Sequence, residues 1–315
     1  MNPFPTFNFE ALTFNPKDGF LNLQKPTHWT SHDCVARVRR LLNTKKVGHG
    51  GTLDPLATGV LPLAIGRATR LLQYLPSDKA YRATVRFGIT TESDDLEGQI
   101  ITQKNAAHLQ FDQVVAALPQ FLGTLQQIPP MYSAVRLQGK RLYELARKGK
   151  TADIPARTIT INQIEPGPWQ PGEHPEITLN IACGAGTYIR SIARDLGATL
   201  GTGATLASLV RTQSNGFSLD DSLTLETVET QMKTETLCLI TPGKALRSLP
   251  GVFLSAEESR RWCMGQKRAF THGEYPSQTP LRVMNETGEF LGIGELQTSD
   301  DELILIPKRV YEAID

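Results

Sequence analysis

The sequence predicts an α+β protein, with a large main domain followed by a small β-rich domain. Segments that alternate apolar and polar residues, as strands do, are interspersed with segments whose apolar residues recur at helical spacing. From about residue 249 the pattern changes to short apolar runs broken by turns. The 315 residues are enough for both domains. We expect an arm at 1–18, a main domain at 19–248 and a β-rich domain at 249–315.

Individual elements can be predicted in order along the chain. Residues 20–25 are predicted to form a strand, and Thr30 with Asp33 has the spacing of a capping box that begins a helix. Clean alternation predicts a strand at 81–87, with Tyr81 at its start. Further strands are predicted at 60–65, 157–164, 177–183, 203–211, 281–284, 290–296 and 303–307. Helices are predicted at 68–75, at 111–122 and after an N-cap at Thr187, with an acidic helical region at 218–246 and a loop at 166–175.

The composition, with 40% hydrophobic and 21% charged residues, is typical of a globular protein. No stretch approaches the roughly 20 apolar residues of a membrane helix, and the N-terminus lacks a basic region followed by an apolar core. We expect a cytoplasmic protein without membrane contact. The four cysteines lie far apart, and the acidic group Glu92, Asp94 and Asp95 lacks the spacing of a calcium loop. We expect no bound metal, and a solvated turn at this acidic group.

Basic residues are concentrated in two parts of the chain, although the net charge is only +1. Residues 19–86 hold eleven Lys or Arg and three Asp, whereas 212–246 hold five acidic residues and two lysines. Residues 126–150 hold six basic residues and two tyrosines, a mixture suited to tracking an RNA backbone. Solvated helix faces remain an alternative for both basic groups. The candidates for contacts with RNA phosphates are Arg37, Arg40, Lys45, Lys46, Arg136, Lys140 and Arg141.

A glycine-rich loop at 48–59, with the sequence GHGGTLDPLATG, is the strongest candidate for a reactive site. Its four glycines allow positive φ and close approach of a ligand. Its single carboxylate, Asp54, has apolar neighbours and precedes Pro55, which favours an extended conformation at Asp54. A carboxylate held in this way is a candidate reacting group. The alternative is a turn aspartate that bonds its own backbone.

A second candidate rim of the site lies where a predicted strand meets a helix through the glycine turn at 184–186. Tyr188 and Arg190 are predicted in the first helical turn, where backbone N–H groups favour anions. The turn lacks the third glycine and the distal acid of a dinucleotide fingerprint, and the loop at 48–59 lacks the Gly-Lys-Ser/Thr of a P-loop. Nucleotide cofactor binding is therefore not indicated.

Three motifs together resemble those of the TruB family of tRNA pseudouridine synthases, in its bacterial form. They are the loop at 48–59, the Lys-x-Tyr-Arg sequence at 79–82 and the glycine turn that runs into Arg190. The resemblance implies a pseudouridine synthase fold, a mixed and mostly antiparallel sheet flanked by helices and loops. It also implies a thumb-like RNA-binding insertion at about 126–155 and a PUA-like RNA-binding domain at 249–315.

The resemblance implies isomerisation of the uridine at position 55, in the T-arm loop of tRNA, without a cofactor. Asp54 would be the nucleophile, acting on a flipped-out base, and Arg190 would pair with it. Tyr81 would stack on the target base, and His49 would fill the space that the base leaves. The residues that would contact the substrate are His49, Tyr81, Tyr188, Leu209 and Lys25. For Lys25, which lies in a Lys-Pro motif shared with the family, support of the loop by packing is the alternative. One departure is the Gly-His-Gly-Gly-Thr sequence, where a common family form has Gly-His-Thr-Gly.

The resemblance further implies that the T-arm stem-loop of tRNA is the partner, without a guide RNA or an obligate protein partner, and we expect a monomer. Two other classes remain open. A non-catalytic RNA-binding protein would share the basic segments but would not need Asp54 together with Tyr81 and Arg190. An aspartyl hydrolase, such as a phosphatase, would want a second nearby carboxylate and a metal.

Overall fold

A computed structural model of the chain describes residues 17–133, 135–137, 139–142, 153–270, 275–299 and 302–311. It confirms the α+β class, with a nine-stranded sheet in the main part of the chain and a five-stranded sheet near the C-terminus. Most of the predicted N-terminal arm and residues 143–152 of the predicted insertion lie outside the described residues. No helix among the described residues is long and apolar enough to cross a membrane.

The strands account for most of the regular structure. They are β1 (Gly19–Lys25), β2 (Val47–His49), β3 (Thr58–Ile65), β4 (Lys79–Phe87), β5 (Ile89–Thr91), β6 (Ile100–Gln103), β7 (Gly123–Gln127), β8 (Arg136–Leu137), β9 (Lys140–Arg141), β10 (Arg157–Gln170), β11 (Glu176–Cys183), β12 (Ala204–Ser214), β13 (Phe217–Ser218), β14 (Gly251–Leu254), β15 (Arg268–Ala269), β16 (Pro280–Asn285), β17 (Phe290–Ser299) and β18 (Glu302–Val310). The larger sheet has the order β1-β3-β12-β4-β11-β10-β7, with β2 beside β3 and β13 beside β12. Among its described strands, β3 and β12 form the only parallel pair, so the sheet is mixed and mostly antiparallel.

Helices pack against both sheets, with the last of them on the C-terminal sheet. They are α1 (Ser31–Leu41), α2 (Phe111–Ala117), α3 (Ile189–Thr199), α4 (Leu225–Lys233), α5 (Pro242–Ala245) and α6 (Ala256–Cys263), with 3₁₀ helices at Gly66–Tyr74 and Leu118–Phe121. The capping box predicted for α1 is confirmed, because the Asp33 N–H donates to Thr30 Oγ1 and the Thr30 N–H donates to the Asp33 carboxylate. The apolar faces of α2 and α3 pack against β4, β10, β11 and β12 in one large core.

Four expectations about secondary structure need correction. The helix predicted at 68–75 is a 3₁₀ helix, and the region at 218–246 contains only two short helices. The loop predicted from residue 166 is strand as far as Gln170, because a bulge in β10 lets it go on pairing with β11. The N-cap of α3 is Tyr188, whereas the Thr187 hydroxyl donates to the Gly184 carbonyl.

The two sheets are joined by a shared apolar cluster. Phe20 and Phe217 of the larger sheet belong to the same buried cluster as Phe290 and Tyr311 near the C-terminus. The Arg67 guanidinium stacks over the Tyr311 ring at 4.8 Å and donates to the Tyr311 carbonyl at 2.6 Å. The C-terminal sheet is therefore packed directly onto the main sheet through side chains from both.

The centre of the larger sheet positions the predicted site. Parallel pairing places Gly59, where β3 begins, beside Arg211 of β12, and antiparallel pairing places Tyr81 of β4 on the other side of Arg211. Gly59 has a φ of +100°, and a Cβ there would lie 2.2 Å from the Arg211 carbonyl oxygen. Only glycine permits this approach. The loop that carries Asp54 therefore enters the sheet one strand away from the start of β4.

Candidate active site

Asp54 lies in the loop between β2 and β3, at the mouth of the site. Its side chain is 39% exposed, and its Oδ2 lies 3.0 Å from Nη2 of Arg190, so the predicted ion pair is confirmed. The Asp54 carbonyl accepts a hydrogen bond from the Ala57 N–H at 3.1 Å, which closes a turn with the backbone and leaves the carboxylate to Arg190. The carboxylate is thus fixed by a cation and remains accessible to a ligand.

Arg190 is buried in the first turn of α3, with 4% of its surface exposed. Its Nη1 donates to the Ser93 carbonyl at 3.0 Å, and its Nη2 donates to the Tyr132 carbonyl at 2.9 Å. Nη1 also lies 3.5 Å from Oδ2 of Asp95. One guanidinium therefore joins two carboxylates, the exposed Asp54 and the buried Asp95.

The acidic group predicted as a solvated turn is exposed at Glu92 but not at Asp94 and Asp95. Asp95 is 3% exposed, and it accepts hydrogen bonds from the Ser93 hydroxyl and from the Glu97 N–H. Asp94 pairs with Arg194 of α3 at 2.9 Å, and burial raises the pKa of Asp94 against the opposing effect of that cation. Local sequence offered no signal for this arrangement, because a polar turn without periodicity looks the same whether it is solvated or buried against a helix.

Two residues near the N-terminus, Lys25 and Ser31, form hydrogen bonds with the backbone of the Asp54 loop. Lys25 is fully buried, and its ammonium group donates to the carbonyls of Pro26, Trp29 and Pro55. The substrate contact expected for Lys25 is therefore corrected, because a side chain with no exposed surface supports the loop from inside. Ser31 Oγ accepts from the Leu53 N–H at 2.8 Å and donates to the Leu53 carbonyl at 3.1 Å.

The buried ammonium group of Lys25 should make stability depend on pH. Burial lowers the pKa of Lys25 from 10.5 to about 8. Between these values the unfolded chain binds the proton more tightly than the folded protein does, so this group favours folding increasingly as the pH rises through the window. We expect the unfolding free energy of the wild type, relative to Lys25→Met, to increase from pH 8 upward and to be level below it. Urea denaturation across pH 7 to 10 measures this difference, and a constant difference would contradict the prediction.

Tyr81 and Leu209 lie beside the loop on neighbouring central strands. Both are 7% exposed and belong to the same buried cluster as Leu53 of the loop. Burial raises the pKa of the Tyr81 hydroxyl to about 12, with an opposing effect from the nearby Arg211 guanidinium. The phenol is thus protonated at neutral pH, and its ring forms part of an apolar wall next to Asp54.

Arg211 was not predicted to be part of the site. Its guanidinium donates to the carbonyls of Gly51, Thr52 and Val60, at 3.0, 3.2 and 2.7 Å. A sequence signal for it does exist, because Arg211 lies two positions after Leu209 in a strand and so shares its inward face. A charged residue on the inward face of a strand indicates that its charge or its hydrogen bonds have a role inside the protein.

Tyr188 lies at the N-cap of α3, where its backbone is held by Gln127 at the end of β7. The Tyr188 N–H donates to Gln127 Oε1 at 2.8 Å, and Gln127 Nε2 donates to the Tyr188 carbonyl at 3.0 Å. The Tyr188 side chain packs against a small cluster that contains Val135 and Leu142. The described root of the predicted insertion therefore contacts the same helix that carries Arg190.

His49 ends β2 at the entrance to the loop and is half-buried. Burial lowers its pKa, so the ring is neutral at pH 7. The next residue, Gly50, departs from the common family form, and a Cβ there would lie 2.6 Å from the Asn215 side-chain oxygen. Asn215 thus occupies the space that a larger residue at position 50 would need.

The predicted phosphate-binding cations have different surroundings. Arg40, Lys45 and Lys46 are exposed. Arg37 instead forms an ion pair with Glu229 of α4 and is only partly exposed, so the carboxylate offsets its charge and its phosphate contact stays a prediction. The side chains of Arg136, Lys140 and Arg141 lie outside the described residues, although their backbones form β8 and β9.

Comparison with known families covers almost the whole chain. Residues 39–189 match the TruB family pseudouridylate synthase (N terminal domain). Residues 190–249 match the tRNA pseudouridylate synthase B C-terminal domain, and residues 250–311 match Pseudouridine synthase II TruB, C-terminal.

Individual proteins named tRNA pseudouridine synthase B are similar over nearly their full length. The protein from Gloeothece citriformis is 56% identical over 297 residues, covering 93% of this chain and 96% of its own. The protein from Trichormus variabilis is 54% identical, covering 94% of this chain and 99% of its own. The protein from Synechocystis is 51% identical, with coverage of 93% and 99%.

Solved structures with the same fold include a Cbf5-Nop10-Gar1 complex. Its matching chain is 25% identical with a TM-score of 0.71, covering 98% of this chain and 92% of that one. A chain of an H/ACA RNP bound to a substrate RNA containing 2′-deoxyuridine is 24% identical with a TM-score of 0.71, covering 96% and 92%. At this identity the second match supports the fold alone.

Proposed function

The chain belongs to the TruB family of pseudouridylate synthases, and on that premise we propose that it isomerises the uridine at position 55 of the tRNA T-arm loop to pseudouridine. The relatives named tRNA pseudouridine synthase B, at 51% to 56% identity, support tRNA as the substrate. The observation that carries the proposal is the exposed Asp54 carboxylate held at 3.0 Å by the buried Arg190.

The reaction breaks the bond between N1 of uracil and C1′ of ribose, and it forms a bond between C5 and C1′. C5 loses its proton, and N1 gains one, so no atom is added overall and no redox partner is needed. Asp54 starts the reaction as an ionised carboxylate, by attack on the sugar or the base or by removal of a sugar proton. The Arg190 guanidinium lies 3.0 Å from that carboxylate and holds it in place.

The surroundings of Asp54 fit a flipped-out nucleotide. Extrusion of the uridine costs a few kcal/mol, which contacts with the base and with phosphates must offset. The apolar wall of Tyr81 and Leu209 can receive the uracil ring, and Tyr188 lies at the N-cap of the helix that carries Arg190. The neutral ring of His49 suits insertion into the space that the base leaves.

Phosphate contacts would come from the exposed cations on the rim. Arg40, Lys45 and Lys46 precede the loop that carries Asp54, so an RNA stem held there would present its loop to the carboxylate. We propose recognition of the stem-loop by its shape, without a guide RNA, by a monomer in the cytoplasm. This chain is 54% identical to one of the tRNA pseudouridine synthase B proteins and 25% identical to the Cbf5 chain. The higher identity to the first supports an enzyme that works without guide RNA.

Release of tritium tests the proposal. Purified protein is mixed with unmodified tRNA that carries tritium at C5 of uridine, without added cofactor, metal or second RNA. We expect tritium release equimolar with the tRNA, and we expect cytidine at position 55 to abolish it. Absence of release from uridine-55 tRNA would contradict the function, and equal release from the cytidine-55 tRNA would contradict the assigned position.

A further inference from the structure

Arg211 of β12 is the largest charged side chain in the interior that the reaction as described leaves unused. It has no exposed surface, and none of the ion pairs in the described part of the chain includes it. An arginine cannot lose its charge to avoid the cost of burial. Its hydrogen bonds must therefore compensate for desolvation, and their acceptors show what the residue holds.

The acceptors of Arg211 lie on both sides of Asp54 in sequence. Nη1 and Nη2 donate to the carbonyls of Thr52 and Gly51, just before the carboxylate, and Nε donates to the carbonyl of Val60, just after the loop re-enters the sheet. The guanidinium therefore ties the two ends of the Asp54 loop to one point of β12.

The same side chain reaches Tyr81. Tyr81 and Arg211 are directly paired across β4 and β12, so their side chains share one face of the sheet. The guanidinium approaches the phenolic oxygen and opposes the rise in the pKa of Tyr81 that burial causes. The guanidinium and the phenol therefore lie on one face of the sheet and interact electrostatically.

We propose that Arg211 is a positioning residue that fixes the Asp54 loop and the Tyr81 phenol as one unit. This inference rests on the proposed pseudouridine synthase activity. Arg211 keeps the separation between the carboxylate and the ring constant when a flipped uridine enters between them. It acts through the backbone of the loop and through the Tyr81 hydroxyl, without touching the RNA.

The planar shape of the guanidinium explains why lysine would not substitute. Arginine presents five N–H donors in a rigid fork, which here reach three carbonyls at the same time. Lysine has three donors on one rotatable nitrogen, so it would keep the charge but lose the simultaneous contacts. Arg211→Lys therefore separates the role of the geometry from that of the charge.

The test measures single-turnover rates at saturating tRNA for Arg211→Lys and Arg211→Met. Displacement of a reacting group by about 1 Å can cost about 100-fold in rate, and we expect a loss of this order for Arg211→Lys. The tRNA dissociation constant should stay within about threefold, because phosphate contacts dominate affinity. Arg282→Met is the matched control, because Arg282 also donates to two backbone carbonyls but lies in the C-terminal sheet. Its single-turnover rate should equal that of the wild type.

A double-mutant cycle with Tyr81→Phe asks whether Arg211 acts through the hydroxyl. We expect the loss caused by Arg211→Lys to be at least about fivefold smaller in the Tyr81→Phe background, since residues in contact are not additive. A purely structural role would give the same loss in both backgrounds.

Each outcome bears on the proposal. A wild-type rate for folded Arg211→Lys, equal losses in both backgrounds, or loss of the folded state in both Arg211 variants would overturn it. A reduced rate with intact tRNA binding and coupling to Tyr81 would support it. An inactive wild type would contradict the proposed function itself, which is a different result from an active wild type with an equally active variant.

Discussion

Asp54→Asn is expected to abolish pseudouridine formation, with a single-turnover rate at least about 10⁴-fold below that of the wild type. The amide has the shape of the carboxylate but carries no negative charge, so it can neither attack the nucleoside nor accept a sugar proton. Affinity for tRNA should change little, because the proposed phosphate contacts come from cations remote from Asp54. Tritium release and filter binding on the same protein measure the two quantities.

The matched control is Asp94→Asn, a neighbouring carboxylate that pairs with Arg194 and not with Arg190. Its release rate should remain within about tenfold of the wild type, because its partner does not touch Asp54. Substantial tritium release by Asp54→Asn would remove this residue from the chemistry. Loss of tRNA binding in Asp54→Asn would instead indicate that the carboxylate is needed for the structure of the loop.

Arg190→Met is expected to have the second largest effect, with losses in both catalysis and stability. Removal of a charged donor from a catalytic site typically costs about 10² to 10³ in rate, and here it leaves the Asp54 carboxylate without its cation. The same change leaves Asp95 buried and uncompensated, which should cost about 3–5 kcal/mol of unfolding free energy. Denaturant titration and single-turnover assays below the unfolding midpoint measure the two effects separately.

A double substitution distinguishes the two roles of Arg190. Adding Asp95→Asn to Arg190→Met removes the uncompensated buried charge, so most of the lost stability should return. The rate should stay low, because Asp54 still lacks its cation. Recovery of both stability and rate would show that Arg190 serves the fold alone. Arg194→Met is the control on the same helix, with its own acidic partners and no contact with Asp54.

Local patterns in the sequence were sufficient for many elements near the site. Alternation predicted the strand that carries Tyr81, and the Thr30–Asp33 spacing predicted the start of α1, whose first residue, Ser31, holds Leu53. These predictions succeed because strand alternation and helix capping are properties of a few consecutive residues. The prediction for 166–170 failed because pairing with β11 overrides the local signals of proline and glycine.

Patterns in the sequence were enough for the fold class and for the glycine-rich loop with its one carboxylate, whereas the pairing of Arg190 with Asp54 came from the family resemblance. Packing of distant segments showed that Asp95 is the second carboxylate of that guanidinium, that Lys25 is sealed beneath the loop, and that Arg37 is paired with Glu229. It also decided that Arg211 joins the loop to Tyr81. These contacts link residues that lie far apart in the chain. Their proximity is set by strand register and helix packing, which no pattern of neighbouring residues encodes.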